Sequence, residues 1–240
     1  MSRGPRRLLV HAMQASGASA VTAWLAQRPD CLALVDVPLT HVTPRIASDR
    51  PAIAKAVITT AYSLAEHAAR FEADARILVV RDPRAIHASL SRRPYRDDNG
   101  LMEEKLAALD AAFAEGRRAY DLVVAFEDVL ADRAVAAEAV RAIGWPVEDG
   151  HDDFPRGPEA MLADLRATAP DLFARFPLGF GDWRPGGFDE TRSTPSRLPE
   201  AEAARLAELC PTLTDHYRAR AASAAGGRPM AAAGAAPAPS

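Results

Sequence analysis

Residues 75–93 read ARILVVRDPRAIHASLSRR, and the organisation of the whole chain can be worked out from them. Arg76 to Val80 is a continuous apolar, β-branched run, the pattern of a strand buried on both faces of a parallel sheet. Asp82-Pro83 then supplies an N-cap and a first-turn proline, so a helix opens where the strand ends. Arg81 lies at the junction, at the carboxyl edge of the strand, and Ser89 sits two turns into the helix. A guanidinium there can grip phosphate with two parallel hydrogen bonds, and a serine hydroxyl adds a neutral donor, so the two could share one anion. Arg84 is a spare cation nearby.

The same strand-then-helix grammar recurs on either side. Arg7 to His11, Cys31 to Val37, Ala56 to Thr60 and Leu122 to Phe126 are four further expected strands. Between them, apolar residues at helical spacing (Val21, Trp24 and Leu25; Leu64, Ala68 and Phe71; Leu106, Leu109 and Phe113; Ala136, Val140 and Ile143) predict helices that cover the sheet. Alternation of this kind specifies an α/β architecture around a parallel sheet of about five strands. Pro29 closes the first helix, and Gly144 followed by Pro146 closes a later one. Residues 148–199 are richer in Gly, Pro and charge, and are expected to form loops and short helices capping the sheet. A last helical segment spans Glu200 to Arg220 with a break at Pro211. From Ala221 to Ser240 the chain is Ala, Gly and Pro with Arg228 as its only charge. The expected division is therefore a domain over 1–220 and a disordered tail over 221–240.

Composition narrows the function classes. The chain has 240 residues, 48% apolar, with 29 basic against 32 acidic side chains and a net charge of −3. So even a balance gives no general field for nucleic acid, and an anion site has to be built locally from a few residues. Only Lys55 and Lys105 among the basic residues are lysines. Cys31 and Cys210 have neither CxxC spacing nor histidine-rich surroundings, which argues against a metal site and suits a reducing, cytoplasmic setting. The Arg-rich start before Leu8-Leu9-Val10 mimics a signal peptide, but His11 and Gln14 interrupt the apolar run. No stretch reaches the ~18 apolar residues of a membrane span.

Parallel sheets place chemistry at the carboxyl ends of their strands, so the turn leaving the first strand is the next place to look. It reads Ala12-Met13-Gln14-Ala15-Ser16-Gly17-Ala18-Ser19 and runs into a helix. Small residues at a helix N-terminus leave amide donors free beside the positive end of the dipole, a combination that holds phosphate or sulfate. Against GxxxxGK[ST], Gly17 and Ser19 fit, Ala12 stands for the first glycine and Ala18 replaces the lysine, which weakens a kinase or NTPase reading.

These motifs resemble those of the sulfotransferases that use 3′-phosphoadenosine-5′-phosphosulfate (PAPS), in particular the bacterial and carbohydrate-type members. GASAVTAWLA is similar to their 5′-phosphosulfate loop and the helix after it. VVRDPRAIHASLSRR is similar to their 3′-phosphate motif, with arginine and serine eight positions apart, and VVAFEDVLAD followed by AVRAIGWP keeps the family's order. Gly181-Asp182-Trp183-Arg184 looks like the late segment that closes over the 3′-phosphate end.

The resemblance implies a three-layer, P-loop-like fold and a sulfotransferase with PAPS as donor, no metal, and a small-molecule, lipid or carbohydrate acceptor. It places the donor on Gln14, Ala15, Ser16, Gly17, Ala18, Ser19, Arg81, Ser89, Gly181 and Arg184. Acceptor pockets would come from the loops at 38–54 and 94–100. Two departures matter. Ala15 stands where the family carries a lysine or arginine, which leaves room for a catalytically weak PAPS-binding relative; a P-loop kinase is the third reading. Thr59-Thr60-Ala61 replaces a strand-end Thr-His pair, so the base is unassigned, with His41 the first candidate. Lys55, read at the start of the third strand, would lie on the wrong edge of the sheet to replace the missing cation, whereas Arg84, Arg92 and Arg184 lie better. His11 reads as a satisfied buried histidine, His67 and His87 as packing or surface residues, and Glu127-Asp128 as a cap for the following helix.

Overall fold

The structure, a computed structural model, describes residues 6–92, 99–148, 154–176, 178, 187–188 and 198–225. Five parallel strands, β1 (Arg7–Ala12), β2 (Leu32–Leu34), β3 (Ala52–Val57), β4 (Ala75–Val80) and β5 (Leu122–Ala125), form one sheet in the order β2-β3-β1-β4-β5. Helices cover both faces, as the α/β reading requires. They are α1 (Ala18–Leu25), α2 (Leu64–Phe71), α3 (Pro83–Leu90), α4 (Met102–Glu115), α5 (Phe126–Ala131), α6 (Arg133–Ala142), α7 (Pro158–Thr168), α8 (Pro170–Arg175), α9 (Glu200–Leu209) and α10 (Pro211–Ala225).

Alternation along the strands decides which layer each side chain joins. Leu8, Val10, Ile53, Ile77, Val79 and Val124 pack with α1, α5 and α6. Leu78, Val80 and Ala125 meet Ile86, Leu106, Leu109, Leu213 and Tyr217 on the other face. Leu9, Ala52, Ala54 and Ala56 meet Phe71, Leu165 and Leu172. Trp145 is fully buried beneath α1 and donates its indole N–H to the Leu25 carbonyl. Arg156 satisfies the carbonyls that end α1, donating to Ala26 and Arg28 and also to Cys31.

The third strand is displaced from its expected place: it runs Ala52–Val57, not 56–60. The β-branched run Val57-Ile58-Thr59-Thr60 has the stronger strand propensity, but pairing decides. Arg7 to Ala12 of β1 register with Ala52 to Val57, and three alanines leave room for the packed layer beneath. The C-terminal helix also continues past Arg220 to Ala225, into the stretch read as tail. Both cysteines are free and buried, and burial pushes both thiols up to about 12. Among the described residues no helix is long and apolar enough to cross a membrane.

β1 and α2 bring together a buried imidazole pair, His11 and His67, with ring centroids 6.1 Å apart. His11 Nδ1 is 2.7 Å from the Tyr120 hydroxyl. The Thr43 backbone N–H donates to His67 Nδ1 at 3.0 Å, so that nitrogen carries no proton and the ring is the neutral Nε2–H tautomer. Burial, with the neighbouring His67, lowers His11 to about 3, and burial lowers His67 to about 4. Both values lie below the unfolded 6.5, so the unfolded chain takes up protons first on acidification. Stability is therefore intact above pH ~6.5 and falls as the pH drops toward 3 to 4, by up to ~1.4 kcal/mol per unit for each ring. Urea midpoints measured across that range should fall, and His67→Gln, which can still accept from Thr43, should flatten the slope; an equally steep fall in the variant would assign the acid sensitivity elsewhere.

Candidate functional site

Connections leave the middle strand and its neighbour in opposite senses: β1 passes through α1 to β2 on one side, and β4 passes through α3 and α4 to β5 on the other. The carboxyl end of β1 is thus the switch point at which open α/β sheets form their crevice. The loop that starts there has an unusual backbone. Ala15 is left-handed at φ 62°, and Gly17, the N-cap of α1, at φ 84°. Gly17 is required twice over, because a Cβ on it would lie 2.3 Å from the Phe126 ring as well as in a left-handed conformation.

That geometry presents donors. The amide N–H groups of Gly17, Ala18 and Ser19 donate to no backbone partner among the described residues, as befits the first turn of a helix. Ser16 is 1% exposed, and its hydroxyl, like the Gln14 side-chain oxygen, is buried with no hydrogen-bond partner among the described residues. An orphaned buried hydroxyl costs stability unless something else meets it, and here it lies directly before the helix N-terminus.

Two cations reach this loop from the strands that flank β1. The Lys55 ammonium, on β3, donates to Ser19 Oγ at 2.8 Å and to Asp36 Oδ1 at 2.9 Å, and the residue is only 8% exposed. Arg81, just past β4, donates from Nη1 to the Ala15 carbonyl at 2.9 Å and stacks on Phe126 at 5.6 Å from the ring centroid. Sequence reasoning set Lys55 aside as lying on the wrong edge, and the structure corrects this: the strand it belongs to begins three residues before it, so its side chain leaves mid-sheet on the α1 face instead of at the amino edge. The available signal was a lysine inside an apolar strand of an arginine-dominated chain.

The remaining candidates divide. Ala18 is buried and Ser19 half-buried in the first turn of α1. Ser89 is half-buried on α3, four and three positions after the buried Ala85 and Ile86, hence on the same helical stripe. Arg84 is not a spare cation, because its Nε and Nη2 hold Asp82 at 3.0 and 2.6 Å. Arg92 is exposed. Gly181 and Arg184 lie outside the described residues. Glu127 caps nothing on its own helix; it accepts from the Asp82 amide at 3.1 Å and the Tyr217 hydroxyl at 2.7 Å. His41 bonds the Thr40 hydroxyl through Nδ1 at 2.9 Å, with its ring edge on Phe176. Its loop is held by Tyr62, whose hydroxyl donates to the Thr40 carbonyl, and by Asn99, whose amide donates to that of Leu39. The arrangement can bind a compact anion on the β1 loop with positive charge on two sides, next to loops from β2 and β3 that could hold a second molecule.

No family model and no curated protein matches the chain in sequence. Among solved structures, it is similar to the sulfotransferase domain of the olefin synthase from Synechococcus PCC 7002, with a TM-score of 0.56 at 15% identity, over 88% of this chain and 95% of that one. It also aligns with the mouse sulfotransferase SULT7A1, solved in complex with PAP, with a TM-score of 0.46 at 10% identity, over 87% of this chain and 84% of that one. The fold of this chain is therefore that of a sulfotransferase domain.

Proposed function

We propose that the chain is a sulfotransferase that takes PAPS as donor and transfers its sulfuryl group to a hydroxyl or amine of a small-molecule, lipid or carbohydrate acceptor. The observation that carries this reading is the Lys55 ammonium 2.8 Å from Ser19 at the N-terminus of α1. It returns to the loop the positive charge that Ala15 withholds, and so favours a working enzyme over a binding relative without turnover. The orphaned Ser16 hydroxyl and the free amides of residues 17–19 fit the phosphosulfate end of such a donor. Arg81 and Ser89 of the β4–α3 unit are assigned to its 3′-phosphate.

PAPS, when bound, supplies a sulfuryl group on a phosphate leaving group. The chain's own part is to hold and neutralise. Loop amides and Ser16 orient the anion, Lys55 opposes negative charge as it grows on the leaving group, and Arg81 with Ser89 anchors the far end. His41 is assigned to the acceptor's proton: in the tautomer whose Nδ1–H donates to the Thr40 hydroxyl, Nε2 carries the lone pair that receives it.

The test is ligand choice. Adenosine 3′,5′-bisphosphate should raise the melting temperature more than ATP does, and without magnesium. A larger, magnesium-dependent shift with ATP would instead make the chain a kinase-like protein. Binding at a hundred times Kd corresponds to ~2.7 kcal/mol, well within reach of a thermal-shift measurement.

A further inference from the structure

The corner where β5 becomes α5 supports both halves of the site. Phe126 lies under Gly17 and against Arg81, and the next residue, Glu127, accepts the Asp82 amide at 3.1 Å through Oε1. Asp82 in turn caps α3 and follows Arg81 directly. The other oxygen of Glu127 accepts the Tyr217 hydroxyl at 2.7 Å. Tyr217 belongs to α10, the last helix, and is buried. Burial beside Glu127 holds the phenol well above its ordinary range, so it remains a donor. The helix is anchored independently. Asp110 accepts the Leu213 amide at 2.7 Å, Arg220 pairs with Asp128, and Leu213 is fully buried.

We propose that Tyr217 is a positioning residue for the nucleotide clamp: its hydroxyl fixes the Glu127 carboxylate, which fixes the Asp82 amide and thereby the Arg81 turn. The inference rests on the assignment of Arg81 to the 3′-phosphate. Two hydrogen bonds separate the phenol from the Asp82 amide next to Arg81, although 135 positions separate Tyr217 from Asp82 in the chain. With the phenol removed, Glu127 is held at one oxygen only and can rotate toward water, since its side chain is half-buried. The turn that aims the guanidinium then loses its fixed acceptor. The apolar packing of α10 does not depend on that oxygen.

The experiment compares Kd for adenosine 3′,5′-bisphosphate with Kd for adenosine 5′-monophosphate, which lacks the 3′-phosphate. Tyr217→Phe should weaken the bisphosphate about fivefold to tenfold and leave the monophosphate unchanged, so that the preference shrinks. Glu127→Ala should do the same, whereas Glu127→Gln, which can still accept from the Asp82 amide, should keep most of the preference. Equal weakening of both ligands would make Tyr217 a structural residue only and overturn the inference, as would a preference that survives Tyr217→Phe and Glu127→Ala. A wild-type chain with no preference would remove the clamp itself, a failure of the functional reading that takes the inference with it.

Discussion

Lys55→Ala should reduce sulfuryl transfer ~10²- to 10³-fold, the usual cost of deleting one aligned charge or donor from a transition state, or ~3 kcal/mol. Affinity for adenosine 3′,5′-bisphosphate should change far less, because charge grows on the leaving group during transfer and the rest of the loop is intact. The deletion also strands Asp36, whose carboxylate now pairs with Lys55 at 2.9 Å. A double variant, Lys55→Met with Asp36→Asn, removes that stray charge and should be as slow as the single one if the ammonium itself matters. Turnover at the wild-type rate in either would end the assignment. A companion variant, Ala15→Lys, places a cation in the loop itself. It should bring no gain, since Lys55 already supplies the charge. It also asks a long side chain to share the left-handed position at φ 62° beside the bond from Arg81. A clear rise in rate would instead mean that the loop lacks a cation.

Arg81→Ala should abolish most of the stabilisation by adenosine 3′,5′-bisphosphate, with Kd rising ~10²-fold. A guanidinium–phosphate pair is charge-assisted, and such bonds contribute ~1.5–3 kcal/mol each. Arg81 also ties β4 to the β1 loop through the Ala15 carbonyl, so two variants are needed to separate the roles. Arg81→Lys keeps the charge and can still reach a carbonyl, but it loses the planar fork and the stacking on Phe126. It should recover part of the affinity and most of the melting temperature of the free protein. A thermal shift unchanged by Arg81→Ala would place the 3′-phosphate elsewhere.

Wherever a property is written in consecutive residues, reading the chain was enough. The run before Arg81, the Asp82-Pro83 opening of α3, the small-residue turn at 14–19 and the breaks at Pro29 and Pro211 each depend on neighbours a few positions away. The α/β alternation and the order of the motifs followed from them. The His41 loop and the Glu127 carboxylate were visible as residues, but their partners were not. Nothing local could show that Tyr217 meets Glu127 or that Asn99 holds Leu39, because those contacts are made between elements far apart in the chain.

Lys55 marks the boundary most clearly. Propensity put its strand at the β-branched run after it, and so put the ammonium at the wrong edge; the ladder to β1 moved the strand back and carried the side chain to Ser19. What the sequence by itself determined was the kind of layers and the succession of strands and helices along the chain, since periodicity and capping are local. Only the tertiary structure decided strand register, and with it which cation faces the loop. Register depends on which strands pair and what packs above and below them, and no window of sequence contains that.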